Sequence, residues 1–474
     1  MWSTCKEFSE NVEDCRKVFP SLYDRRRKYI LILILLLLST SLVIGWNYYD
    51  IMWWISWYRI LEKNGPLYLF SLYRLCRVPT CKVPYPPIAV IMFVSIYALA
   101  MIMPYQLRYA ILKLILVVVP AYIIFKVIRK SRGFEIALLW LLSLPFLQIL
   151  FALQFDVLVA LFVLLSTLYI WSGKHFKAAA SLAIATLIKP IVAVIAILHM
   201  IFLYRRGGFR KVIEYIAIAL VIGLAITTPF IVASGKNFVE NVISFHATRP
   251  PQDASPWAIA TFVLESNITK YNNIIDNLWT IPFVIALSFT VLGFIIIMRQ
   301  KPYVSLRFLA LSTSILLLLT IVFGKIGNTN YLVWIVPTSI IALDCQILRK
   351  FYLLTTLLVL LVSVPMTGIM LYLAPAVSAE PTFMAEDLGY WDARTLFMQS
   401  INYYIIYALS IFQQYSLLPI RIVAPSDFLE TINYITTLID VKKICLVGLV
   451  ILAQILLMLL LILHYKSLYG ETSC

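Results

Sequence analysis

The polar side chains able to do chemistry in this chain stand mostly at the ends of long apolar runs. Asp50 lies just beyond the first such run, in Tyr48-Tyr49-Asp50. A carboxylate there acts as a general base if partial burial moves its pKa toward neutrality; otherwise it is a solvated cap or anchor. Gln154 and Asp156 open a later run, where a helix N-cap and a functional pair are both open readings. Lys189 sits inside an apolar segment, directly before Pro190. An ammonium near a helix centre costs roughly 2.5–3.5 kcal/mol on insertion scales, so Lys189 either snorkels to a surface or is positioned for an anion, a phosphate or Asp156.

Two further stretches suit anions. His246 and Arg249 head a polar segment that continues through Gln252, Asp253 and Ser255 to Trp257, and a guanidinium takes a phosphate bidentately. Phe323-Gly324-Lys325-Ile326-Gly327 joins two apolar runs and leads into Asn330-Tyr331-Leu332-Val333-Trp334. Glycines flanking a lysine let the backbone approach an anion, although a plain helical hairpin reads the same way. With four histidines, no His-x-His and no histidine beside paired carboxylates, no metal site and no cofactor are expected. Cys76 and Cys81 are the one plausible disulfide among seven scattered cysteines.

The elements that must position these residues are membrane helices. A hydrophobic fraction of 62%, charged residues at 13% and a mean hydropathy of +0.91 exclude an ordinary soluble domain. The Leu, Ile and Val runs lack period-2 alternation and reach helical-span length, so the expected fold is an all-α polytopic membrane bundle of about 10–13 transmembrane helices. The net charge of +16 is spread over short clusters between the runs, which suits topology signals and lipid headgroups and argues against nucleic acid.

Arg25 to Lys28 precede the first run, Tyr29 to Trp46, and place the N-terminus in the cytoplasm by the positive-inside rule. The aromatic stretch from Trp46 to Pro87 is then an outer-face loop, with Trp53, Trp54, Trp57 and Tyr58 readable as an interfacial belt. Further spans fall near 87–103, 109–127, 156–172, 212–233, 278–298, 304–323, 330–346, 351–373 and 444–464. This register puts Arg205 to Lys211, Arg299 to Lys301 and Arg349-Lys350 inside, but leaves Lys126 to Arg132 outside. Phe134 to Leu153, centred on Pro145, and Ala178 to Leu203, with Lys189-Pro190, are either re-entrant pairs or kinked spans, and either implies a covered polar cavity. The expected organisation is a cytoplasmic segment 1–28, a catalytic core 29–373, an outer region 374–443 with an interfacial helix from Ile401 to Phe412, and a last helix with its tail, 444–474. Asn267-Ile268-Thr269 is a glycosylation sequon on the outer face.

Taken in order, an outer aspartate after the first span, Tyr85-Pro86-Pro87, Gln154-x-Asp156, Lys189-Pro190, His246-x-x-Arg249 before Ser255-Pro256-Trp257, and Lys325 before Tyr331-Leu332-x-Trp334-x-x-Pro337 resemble the GT-C superfamily of polyprenyl-phosphate-sugar glycosyltransferases. The resemblance covers about 45 to 345. It is nearest the polyprenol-phosphate-mannose-dependent α-mannosyltransferases and the catalytic subunit of the first GPI mannosyltransferase. It departs from the latter at Gly324 and Asn330, and Asp50 lacks an acidic neighbour. It implies an outer-face enzyme that inverts configuration in one displacement, moving a sugar, mannose, from a dolichyl-phosphate-type donor to a lipid-linked glycan or glycolipid. Asp50 is the base in this picture. Lys325, Arg249, His246 and Lys189 are the phosphate cations, and Tyr85, Gln154, Asp156, Tyr331 and Trp334 shape the cavity. Membrane lipid and an accessory membrane subunit are the expected partners. A secondary transporter or lipid-linked-sugar flippase is the competing reading, because transporters also place sites at helix breaks.

Overall fold

A helix of Leu and Ile, α1 (Arg27–Val43), starts from the basic cluster and ends near Ser41. The computed structural model describes residues 12–24, 26–43, 48–76, 83–248, 251–259, 278–300, 303–363, 366 and 439–470. Arg249, Cys81, the sequon at Asn267 and the whole of 374–438 lie outside the described residues.

The stretch expected to be a loop is instead helical over α2 (Tyr48–Asn64), and Asp50 is the third residue of that helix. Trp54 and Trp57 are buried in protein, which removes them from a lipid-facing belt. They pack on Phe93 of α3 (Pro87–Ala100), with Trp54 at 5.0 Å and Trp57 at 6.2 Å between ring centroids. α3 was expected to cross the membrane. At about 1.5 Å per residue its 14 residues reach about 21 Å, short of a bilayer core of about 30 Å. The next helix, α4 (Leu107–Arg132), begins where α1 ends: Lys113 Nζ donates to the Ser41 carbonyl. It finishes where α1 begins, because Arg27 pairs with Glu135 at 3.1 Å. Therefore α2 and α3 together bring the chain back to the side of the bundle on which α1 ended. The cluster from Lys126 to Arg132, which the sequence left on the wrong face, joins the other basic clusters.

α5 (Phe134–Leu142) and α6 (Leu144–Ala152) form one span bent by 51°. Ser143 is extended and Pro145 occupies the first turn of α6, so the helical ladder breaks there. α7 (Asp156–Trp171) returns to the basic end, where Arg206 donates to the Trp171 carbonyl at 2.8 Å. α8 (His175–Thr186) and the first half of α9 (Ile195–Ser234) make a hairpin whose tip is Lys189-Pro190. His175 meets Glu214, just past the end of the second arm, at 2.9 Å, so the hairpin starts and finishes at the basic end. α9 itself breaks at Gly207 and Gly208.

α10 (Thr280–Gln300), α11 (Leu306–Phe323), α12 (Leu332–Ala342), α13 (Cys345–Leu358) and α14 (Ile439–Gly470) complete the bundle. Every residue of α11 except Arg307 and Phe323 is buried, which makes it the central post. Since lipid is as apolar as leucine, packing and interhelical hydrogen bonds hold such helices together. Thr167 meets Thr313 at 3.3 Å, Ser314 meets Thr338 at 2.8 Å and Ser339 meets His464 at 2.8 Å, joining α7, α11, α12 and α14. Leu224, Phe289 and Ile462 are exposed on the outer faces, as lipid-covered positions are.

Among the described residues six helices are long and apolar enough to span a bilayer, and the bent α5–α6 pair makes a seventh. The remaining apolar helices are shorter because they stop at polar residues. α7 has 16 residues, α8 has 12 and α12 has 11. A bridge from Cys15 to Cys345, 330 positions apart, also overturns the expectation of a single local pair. Cys76 is disulfide-bonded as well.

Candidate active site

The short helices meet at one place. α7 begins at Asp156, α8 ends just before Lys189, and α12 begins directly after Tyr331. Leu153, which closes α6, takes a left-handed conformation (φ 52°) that costs a leucine energy, and it turns the chain sharply into Gln154.

Asp156 is 1% exposed and accepts a hydrogen bond from Trp334 Nε1 at 3.0 Å. It stands in the first turn of α7, where a negative charge meets the positive end of the helix. Two residues earlier, Gln154 Oε1 accepts from Asn330 Nδ2 at 2.7 Å. Trp334 lies face to face with Tyr331, centroids 4.1 Å apart and planes at 17°.

Lys189 stands on the other side of Tyr331. Its backbone is extended, as the residue before a proline must be, and this carries the side chain out of the α8 axis. The ammonium lies 5.0 Å from the Tyr85 ring centroid and 5.5 Å from that of Tyr331, so two aromatic faces hold the charge.

Tyr85 is fixed from behind. Tyr73 donates its hydroxyl to the Tyr85 carbonyl at 2.7 Å, and burial keeps that phenol protonated by pushing its pKa well above the ordinary value. His246 Nε2 donates to the neighbouring Pro84 carbonyl at 2.7 Å. This contact ties His246 to the Tyr85-Pro86-Pro87 entry.

The Lys325 turn is built against the Ser-Pro-Trp segment. Gln252 and Asp253 (β1) pair in parallel with Ile326 and Gly327 (β2). Ser255 Oγ donates to the Gly324 carbonyl at 2.8 Å, and Trp257 Nε1 to the Phe323 carbonyl at 3.2 Å. A side chain at Gly327 would put its Cβ 2.1 Å from the Ser255 nitrogen, and one at Gly324 would lie 2.1 Å from the Thr320 oxygen. At both positions the backbone leaves no room for a side chain. Lys325 itself is 5% exposed.

Tyr85, Gln154, Asp156, Lys189, Tyr331 and Trp334 thus form one continuous assembly. His246 joins it through Pro84 and Lys325 through the backbone of its turn. The helix that carries Asp50, α2, touches it: Trp54, one helical turn after Asp50, stacks on Phe155 at 4.3 Å, and Phe155 immediately precedes Asp156.

A family model, Glycosyltransferase family 87, matches residues 84–322, just over half of the chain. The chain belongs to glycosyltransferase family 87. Among curated proteins no match was found. The family 87 match opens one residue before Tyr85 and contains Gln154, Asp156, Lys189, His246 and Arg249. Asp50, Lys325, Tyr331 and Trp334 fall outside it, yet the last two are in contact with matched residues. Family membership and the apolar helices make the chain a multi-pass membrane glycosyltransferase.

Two features of this glycosyltransferase escaped the sequence reading. Lys113 is buried within α4, its ammonium on the Ser41 carbonyl and 5.9 Å from the Phe151 ring. A lone lysine in an apolar run was the available signal. The other is the Trp54–Phe155 stack, which no spacing rule connects.

Proposed function

We propose that the chain is a mannosyltransferase that draws its sugar from a polyprenyl monophosphate of the dolichyl type and delivers it to a lipid-linked glycan or glycolipid. The observation that carries this reading is the Lys189 ammonium held between the rings of Tyr85 and Tyr331 beside the buried Asp156–Trp334 pair. It supports a site where an anion meets apolar, aromatic surroundings, which is what a lipid phosphate bearing a sugar requires.

In one displacement, the acceptor hydroxyl oxygen bonds to the anomeric carbon as the bond from that carbon to the phosphate oxygen breaks. The hydroxyl proton passes to the Asp50 carboxylate, and the electron pair leaves with the polyprenyl phosphate. Configuration inverts. Charge grows on the departing phosphate, and Lys189, Lys325 and Arg249 stabilise it, with His246 shaping the entry. A monophosphate leaving group held by protein cations needs no resident cofactor. The basic end faces the cytoplasm by the positive-inside rule, so the site opens to the lumen or exterior, where an accessory membrane subunit would also be met.

Purified protein in detergent, given polyprenyl-phosphate [³H]mannose and a glycolipid extract, should form a labelled glycolipid, with the rate collapsing in Asp50→Asn. The breaks at Ser143 and at Lys189-Pro190 also suit a flippase. Lipid-sugar flux across proteoliposomes without any covalent product would establish that reading and end this one.

A further inference from the structure

We propose that the Trp54 indole N–H binds a hydroxyl of the sugar being transferred. The inference rests on the glycosyl-transfer reading and adds to it a residue that recognises the sugar itself.

Trp54 is 1% exposed, and its Nε1 is a buried donor with no hydrogen-bond partner among the described residues. Other indoles of the molecule are satisfied: Trp334 on Asp156, Trp257 on the Phe323 carbonyl and Trp140 on the Ala121 carbonyl. Burying an unpaired N–H is unfavourable, so a native protein that keeps one has a reason.

The position supplies the reason. Asp50 lies one turn earlier on the same helix. The Trp54 ring stacks on Phe155, the residue before Asp156, and stands edge-on to Tyr85 with centroids 6.2 Å apart. Tyr85 in turn carries the Lys189 ammonium. The transferred sugar must lie between the base that deprotonates the acceptor and the cations that hold the phosphate, so Trp54 flanks the place the sugar ring would take.

The chemistry matches a hydroxyl better than a phosphate oxygen. Ammonium groups serve the phosphate, whereas a neutral N–H among aromatic faces suits a neutral acceptor whose C–H face packs on rings.

Trp54→Phe keeps the aromatic ring and removes the donor. Binding of two probes is measured on purified wild type and variant: polyprenyl-phosphate mannose and polyprenyl phosphate without sugar. The expected result is affinity for the sugar-bearing lipid reduced on the order of tenfold, with the sugar-free lipid unchanged. A series of deoxymannose donors should contain one that wild type and variant bind equally. The ligand-free melting temperature should stay level or rise, since an unpaired donor is gone. Equal affinity of both proteins for the sugar-bearing lipid overturns the proposal, and so does equal weakening toward both lipids, which assigns the N–H to the phosphate. If wild type transfers no sugar, the enzymatic reading falls, and the binding comparison still decides the role of Trp54.

Discussion

The Trp334 indole donates to the Asp156 carboxylate across 178 positions of sequence, at 3.0 Å and out of reach of solvent. This bond ties the start of α7 to the start of α12 and so sets the wall on which Tyr331 and Lys189 rest. Trp334→Phe keeps the stack on Tyr331 and removes the donor. It should lower stability by about 1–3 kcal/mol, the cost of leaving a buried acceptor short of a partner. Asp156→Asn, which can still accept from the indole, should lose less than Asp156→Ala. Thermal unfolding followed by size-exclusion fluorescence ranks the three; an unshifted Trp334→Phe would deny the bond its role.

Lys189 is placed for charge more than for stability. Its two ring contacts are worth about 0.5–2 kcal/mol, and Lys189→Met should melt within a few degrees of wild type. Transfer should fall about 10²–10³-fold, as when one preorganised donor to a developing anion is removed. Lys189→Arg should restore part of the rate. A Met variant with near-normal turnover would make Lys189 a structural wedge.

The Lys325 turn should tolerate no side chain at Gly327, because the Ala254–Ser255 backbone, just past β1, lies against it. Gly327→Ala must separate the two strands, with an expected destabilisation of about 1–3 kcal/mol and loss of transfer. Gly223, on an open face of α9, is the control. There Ala should be neutral or stabilise by about 0.5–1 kcal/mol. Equal behaviour of the two variants would refute the close approach.

Cys15 and Cys345 lie at the end of the bundle that also carries Arg27, Arg132 and Arg206. If that end is cytoplasmic, the reducing compartment opens this bridge in growing cells, and with Cα atoms 5.1 Å apart the pair closes again on oxidation. Rapid acid quenching and alkylation of intact cells should label both, and mild oxidation of membranes should link them. A bridge already present in quenched cells would reverse the assigned orientation.

Composition and run length made the all-α membrane bundle legible, and single residues marked much of the site. Lys189-Pro190 was readable as a break with a charge in it, and Gln154-x-Asp156 as the start of a helix. What stayed hidden were the partners. Asn330 and Gln154 are 176 positions apart, and no local pattern pairs them. α3 read as a span because helices buried in protein and helices facing lipid are equally apolar; only its contacts, Trp54 on Phe93 and Tyr58 on Tyr97, distinguish the two. Reading α3 as a crossing and the α2 stretch as a loop displaced the cluster from Lys126 to Arg132. Trp54 and Trp57 were ambiguous for a related reason, since a tryptophan suits a membrane interface and a protein core alike.

The central claim is that Asp50, at the start of α2, removes the proton from the acceptor while Lys189, between the Tyr85 and Tyr331 rings, holds the departing phosphate. Mannose transfer from polyprenyl-phosphate mannose by purified wild type and Asp50→Asn, matched for expression and monodispersity, tests it most directly. The account predicts labelled glycolipid from wild type and a rate about 10²–10⁴-fold lower from the variant, the range for loss of a general base. Full activity of Asp50→Asn would contradict it.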